Sequence, residues 1–247
     1  MAGIEIRGLT KSYKMESGTL QVLRGIELTL PEGEITVVLG KSGCGKTTLL
    51  RLVGGLEEAD SGEIRFPGEQ KTAFVFQEPR LMPWLNVRDN IEFGQKKSQR
   101  NRDDTARIIH TVGLDGFEKS KPHQLSGGMQ QRTALARALA YRPSFIMMDE
   151  PFAALDHFTR ESMQQELLRV RSETDASILF VTHSIDEALT LADRIILISQ
   201  GIVSAEYRLP QKQPRDILCD ELITVRRAIV SALEKPNDST PVQNGLE

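Results

Sequence analysis

The sequence predicts an α/β fold, a parallel sheet flanked by helices, and three observations carry that reading. Short apolar runs alternate with helical patterns, and strands separated by helices pair in parallel. One such strand runs directly into "GKSGCGKTT", residues 40–48, and from there into a helix. Between about Pro79 and Pro143 the strand signals stop, which marks a helical insertion.

The elements follow in order. "IEIRGL" and "GIELTL" alternate apolar and polar residues, and "EITVVLG" is a continuous apolar run; all three read as strands. The helix after the loop extends through Leu52, and "EIRF" and "TAFVFQ" are further short strands. The insertion holds "NVRDNIEFG", "NRDDTARIIHTVG" and a helix over 129–140. Strand patterns return at "SFIMMDE", "SILFVTH" and "RIILIS", with helices over 157–172 and 184–192 between them. "RIILISQGIVSAEY" reads as a hairpin turning at Gln200-Gly201. One more helix is expected after Arg215, and "KPNDSTPVQNGLE" reads as a disordered tail.

Composition excludes several classes. A chain of 247 residues, 26% charged with a net charge of -3, is an ordinary globular composition. It offers no electrostatic case for nucleic acid as the main partner. Two cysteines, Cys44 and Cys219, make no disulfide scaffold, so a reducing compartment is expected. "MAGIEIRGLT" has no basic start before an apolar run, so no signal peptide is expected. Apolar runs such as "SILFV" fall far short of the roughly 20 residues that span a bilayer.

The loop fits G-x-x-x-x-G-K-[ST] through Gly40, Gly45, Lys46 and Thr47. A phosphate is wrapped by backbone N–H groups, so the candidate contacts are Gly40, Lys41, Ser42, Gly43, Cys44, Gly45, Lys46, Thr47 and Thr48. Lys46 can reach terminal phosphates, and the Thr47 hydroxyl can face Mg²⁺. Cys44 reads as a neutral filler. "SFIMMDE" ends in two carboxylates: Asp149 can hold hydrated Mg²⁺, and Glu150 can polarise an attacking water. "SILFVTH" ends in His183, able to touch the γ-phosphate or that water, and "TAFVFQ" ends in Gln77, suited to a metal–water contact. Parallel strands deliver their ends to one edge, so four ends are expected to converge. A second glycine turn, "LSGGMQQRTALARALA" at 125–140, feeds a helix and forms another anion cradle at Ser126, Gly127 and Gly128. Trp84 in "LMPWLNV" is open to two readings, core packing or a docking surface, while Arg80 and Arg132 read as solvated charges.

With these residues the chain resembles the ATP-binding subunits of ABC transporters, up to about residue 210. "GKSGCGKT" resembles their phosphate loop, Gln77 their Q-loop, "LSGGM" their signature and "FIMMDE" their magnesium and catalytic-glutamate strand. "ALD" at 154–156 resembles the D-loop and His183 the switch histidine, and Tyr13 sits where the family stacks an aromatic on adenine. The signature departs at Met129, where glutamine is usual, but the phosphate-facing Ser126, Gly127 and Gly128 are retained.

The resemblance implies a P-loop NTPase core with a parallel sheet, an antiparallel β subdomain and a helical subdomain at about 80–142. The domain would span 1–215, with a C-terminal helix and tail over 216–247. It also implies ATP and Mg²⁺, and a head-to-tail homodimer in which each signature closes on the partner's nucleotide. A separate membrane permease, a separate solute-binding protein and a place on the cytoplasmic face of the membrane follow. "LSGGM" after "EPRLMPWLNVRDNI" is similar to importers of nitrate, taurine and alkanesulfonates. The alternative is a soluble ABC ATPase acting on nucleic acid or ribosomes, though those carry coiled-coil insertions or tandem cassettes. A non-catalytic nucleotide-binding regulator would need neither Glu150 nor His183.

Overall fold

The computed structural model describes residues 3–16, 18–68, 71–96, 98, 100–153, 155–174, 176–209 and 213–234. Ala154 and the expected tail over 235–247 lie outside the described residues.

Strands β1 (Gly3–Met15), β2 (Gly18–Pro31) and β4 (Ser61–Arg65) form an antiparallel sheet in the order β2-β1-β4. β3 (Ile35–Leu39), β5 (Thr72–Val75), β6 (Phe145–Asp149), β7 (Ser177–Thr182), β8 (Arg194–Ser199) and β9 (Ile202–Arg208) form the second sheet. Its order is β5-β6-β7-β3-β8-β9, parallel except for β9. The β8–β9 hairpin turns at Gln200 and Gly201 with φ of 48° and 79°, the two left-handed residues such a turn requires.

The central strands read as unbroken apolar runs because both their faces are covered. On one face of β7, Leu179 and Val181 join Ile4, Ile6, Leu28 and Leu30 of the antiparallel sheet and Leu49 and Leu50 of α1 (Lys46–Val53). On the other, Ile178 and Phe180 meet Met163 and Leu167 of α5 (His157–Thr174) and Ala188 and Leu189 of α6 (Ile185–Leu191). The C-terminal helix, α7 (Asp220–Glu234), buries Leu222 and Ile229 in this same cluster.

The insertion is helical as expected: α2 (Val87–Ile91), α3 (Arg102–Thr111) and α4 (Gly127–Ala140). Val87, Ile91, Ile109, Val112, Leu125 and Ala136 give it a small core of its own.

The first two strands are longer than the sequence reading. "TKSYKM" has no clean alternation, but the β1–β2 ladder continues through Tyr13↔Leu20 and Met15↔Gly18. Backbone pairing, not side-chain patterning, extends the hairpin.

Candidate active site

The phosphate loop hangs between β3 and α1. Gly45 caps α1 with φ 106° and Gly43 has φ 78°, values that L side chains rarely adopt. Gly40 is needed for space: a Cβ there would lie 2.4 Å from the Ile198 carbonyl oxygen and 2.6 Å from Cys44 Sγ. Lys46 is buried, its Nζ donating to the carbonyls of Gly40 (2.8 Å) and Lys41 (3.1 Å). Burial pushes the Cys44 thiol up, so it packs as a neutral group.

Asp149 and Glu150 stand at the end of β6, one strand over from β7. The Thr47 hydroxyl donates to Asp149 Oδ1 at 2.9 Å, which ties the loop to that strand. Burial raises the Asp149 carboxyl above its ordinary range; the Thr47 bond opposes this and the neighbouring Glu150 charge adds to it. Glu150 has φ 43°, a left-handed turn straight after the strand, fixed by its N–H donating to the Val181 carbonyl at 2.9 Å. Strain of this kind is held in place by surrounding structure and concentrates at functional sites. The turn swings its carboxylate across to β7, where Oε2 is 2.9 Å from His183 Nδ1, while Oε1 is 3.9 Å from Lys46 Nζ. Lys46, Thr47, Asp149, Glu150 and His183 therefore form one cluster. Gln77, two residues beyond β5, ends on the same sheet edge.

Tyr13 is brought beside α1, near Thr48 and Arg51. Its hydroxyl donates to the Glu57 carboxylate, which also pairs with Arg51 of α1 at 3.2 Å. Partial burial, then Glu57, raise the Tyr13 pKa. Glu57 and Arg51 had no motif to mark them in the sequence.

Ser126 caps α4, its Oγ accepting from the Met129 N–H at 3.3 Å. Ser126 and Gly127 are exposed, and a Cβ on Gly128 would lie 2.7 Å from Thr159 Cγ2. Met129 packs on the insertion's core, so an apolar side chain is accommodated where it turns inward. Among the described residues no hydrogen bond or ion pair joins the Ser126 turn to the phosphate loop. Their helices pack differently: α4 on α2, α3 and β5, and α1 on β2, β6 and β7. One chain does not bring its two cradles together.

The segment around Gln77 is fastened to α4 on both sides. Gln131 Nε2 donates to the Phe76 carbonyl (3.4 Å), and Arg137 donates to the carbonyls of Pro79 (2.9 Å) and Arg80 (2.8 Å). Arg80 is exposed, as a solvated charge should be, while lying over the Phe76 ring at 4.0 Å; the reading is corrected for Arg132, which is half-buried and donates from Nη1 to the Gly113 carbonyl at 3.0 Å. Core packing is overturned for Trp84, which is 68% exposed. Fully buried Asn90 holds the turn that displays it, accepting from the Met82 N–H (2.8 Å) and donating to the carbonyls of Met82, Leu85 and Asn86.

Comparisons with known proteins agree with this geometry. The profile of the family described as "ABC transporter" matches residues 23–153. An aliphatic sulfonates import ATP-binding protein of Bacillus cereus is 43% identical over 242 residues, covering 94% of this chain and 96% of the relative. Its counterpart in Pseudomonas syringae pv. syringae is 48% identical over 198 residues, covering 79% of this chain and 82% of the relative. Among solved structures, a dimeric ATP-binding cassette in a post-hydrolysis state, bound to ADP and Pi, aligns with a TM-score of 0.76 at 32% identity, covering 85% of this chain and all of that one.

Proposed function

Because this chain belongs to the ABC transporter family as an ATP-hydrolysing subunit, we propose that its hydrolysis drives uptake of a small anion through a separate permease. The solute class is that of sulfonates, with taurine and nitrate as chemical neighbours. The observation that carries this reading is end-to-end similarity to import subunits, with 94% of this chain and 96% of the relative aligned. The soluble, nucleic-acid-directed alternative has no such support.

Phosphoryl transfer asks little covalent chemistry of a protein, so the residues act by positioning and electrostatics. Lys46 would exchange the two loop carbonyls for phosphate oxygens, with the loop N–H groups from Gly40 to Thr48 around them. Thr47 and Asp149, already hydrogen-bonded to each other at 2.9 Å, suit a hydrated Mg²⁺, with Gln77 on the same edge. A buried carboxylate beside a hydroxyl is an oxygen donor set that a hard cation favours. Mg²⁺, when bound, would neutralise charge on the transferring phosphate. Glu150 would accept the proton of the attacking water. With Nδ1 turned to Glu150, His183 has Nε2 left for the γ-phosphate. Tyr13, anchored by Glu57, would offer its ring to adenine.

The exposed Ser126 turn would serve a second copy of the chain. Two subunits packed head to tail would each place Ser126, Gly127 and Gly128 on the partner's ATP, so binding closes the dimer and loss of the γ-phosphate opens it. We assign 1–215 to the ATPase domain, with 80–142 as its helical subdomain, and treat the helix within 216–247 as an appendage docked on it. Among the described residues no helix is long and apolar enough to cross a membrane, which fits a peripheral subunit on the cytoplasmic side.

The direct test is uptake into vesicles carrying the permease, this subunit with ATP on its side, and a separate solute-binding protein. Alkanesulfonate accumulation that requires ATP is expected. ATP-dependent uptake confined to an unrelated solute would overturn the solute assignment.

Trp84 is proposed as the permease contact. Trp84→Ala should leave the isolated subunit's ATPase and melting temperature unchanged. A lost aromatic anchor is worth about 2 kcal/mol or more, so affinity for the permease should fall about 30-fold. Unchanged permease binding would remove the assignment.

A further inference from the structure

Beside the Glu150–His183 pair lies an ion pair, its carboxylate buried and its guanidinium half-buried, that the proposed chemistry does not use. Glu187 lies in the first turn of α6, just past His183, and is 5% exposed. Its Oε2 accepts from the Thr182 hydroxyl at 2.5 Å, and that same hydroxyl accepts from the Ser184 N–H at 3.0 Å. The Glu187 N–H donates to Ser184 Oγ at 3.3 Å. Both sequence neighbours of His183 are thus bonded into one knot around Glu187.

The other Glu187 oxygen faces outward from the knot. Oε1 is 3.7 Å from Arg160 Nε on α5. Arg160 in turn donates from Nη2 to the Leu155 carbonyl at 2.9 Å. Leu155 closes the turn that begins at Glu150: its N–H donates to the Phe152 carbonyl (3.1 Å), and the Ala153 N–H donates to the Glu150 carbonyl (3.2 Å). The circuit runs from Glu150 through Leu155, Arg160, Glu187 and Thr182 to His183, and the 2.9 Å contact closes it.

Burying a carboxylate against a half-buried guanidinium is a poor way to gain stability, since apolar residues of similar volume do as well or better. What charged groups add is direction. A carboxylate with one oxygen on Thr182 and the other toward Arg160 fixes the angle between two turns, which apolar packing does not. Arg160 Nε is buried and has no hydrogen-bond partner among the described residues, so at 3.7 Å the clamp still has travel left before that bond is made.

We infer that Glu187 and Arg160 are positioning residues for the Glu150–His183 pair, clamping the turn that carries the proposed base to the turn that carries the histidine. The inference rests on Glu150 acting as that base. Both would act through those two side chains rather than on the nucleotide.

The test measures kcat, KM for ATP and melting temperature on the intact protein. Glu187→Gln keeps shape and an acceptor for Thr182 but removes the charge. It should lower kcat about 10-fold with KM within about two-fold, the pattern of an interaction needed only in the transition state. Arg160→Lys should do the same, because one ammonium lacks the fork that serves Leu155 and Glu187 together. Glu187→Gln leaves the Arg160 charge without its counter-charge and lowers stability, whereas Arg160→Lys keeps both charges. The double variant Glu187→Gln/Arg160→Gln, with no stranded charge, should regain melting temperature while kcat stays low. Recovery of kcat along with melting temperature would reduce the pair to a structural role and overturn the inference, as would a rise in KM at unchanged kcat. In a Glu150→Gln background, Glu187→Gln should add less than about a two-fold further loss, because both act through one group; a full second 10-fold loss overturns the inference. Failure of the base assignment shows separately, as wild-type turnover in Glu150→Gln alone, and that result also removes the clamp's purpose.

Discussion

Glu150→Gln is expected to lower ATP turnover by about 10²-fold or more, the scale of a lost general base. The substitution keeps size, keeps an oxygen near His183 Nδ1 and removes the basic oxygen and the charge 3.9 Å from Lys46. ATP affinity should hold, because the proposed phosphate contacts on Gly40–Thr48 are untouched. Loss of a negative charge at the proposed γ-phosphate position should favour the bound state further. With binding intact and hydrolysis slow, nucleotide should accumulate in a closed dimer, visible as an ATP-dependent shift to double mass in gel filtration. A 10²-fold loss is about 2.7 kcal/mol of transition-state free energy, far above what a surface substitution does. Turnover at the wild-type rate would show that another group activates the water.

Complementation between two inactive variants has the second largest expected effect. Lys46→Ala removes the ammonium from the phosphate loop, and Ser126→Arg fills the exposed turn at the start of α4. Each alone should be inactive, because every site in the proposed head-to-tail homodimer would combine one phosphate loop with one signature turn. In a mixed dimer, one site carries both defects and the other carries neither. Random mixing makes about half the dimers mixed, so independent sites recover about a quarter of wild-type ATPase. Coupling between the sites lowers that figure, so an ATP-dependent cross-link across the interface should be measured alongside. A mixture with neither turnover nor cross-link would leave the Ser126 turn without a nucleotide partner.

Much of the fold and site was legible in local sequence because the responsible physics is local. Gly43 and Gly45 mark backbone angles other residues avoid, and Gln200-Gly201 marks a tight hairpin. The four strand ends met on one edge because helices between strands force parallel pairing. The extended β1–β2 hairpin was not legible, since no side-chain period runs through "TKSYKM" and the strands are held by each other. Trp84 stayed open to two readings because its exposure depends on Asn90, whose buried amide shapes the turn. A lone asparagine gives no such signal.

Sequence by itself determined the alternation of strands and helices, the helical insertion and the residue types of the site, because propensity, periodicity and glycine angles act over a few neighbouring residues. Only the tertiary structure decided which of those residues touch. Glu150 meets His183 across 33 residues, and Thr47 meets Asp149 across 102. Glu187 faces Arg160 on a helix that contributes nothing to the motifs. Such contacts follow from the order β5-β6-β7-β3 in the sheet, and strand order is set by burying apolar faces over the whole chain, a condition that no local window contains.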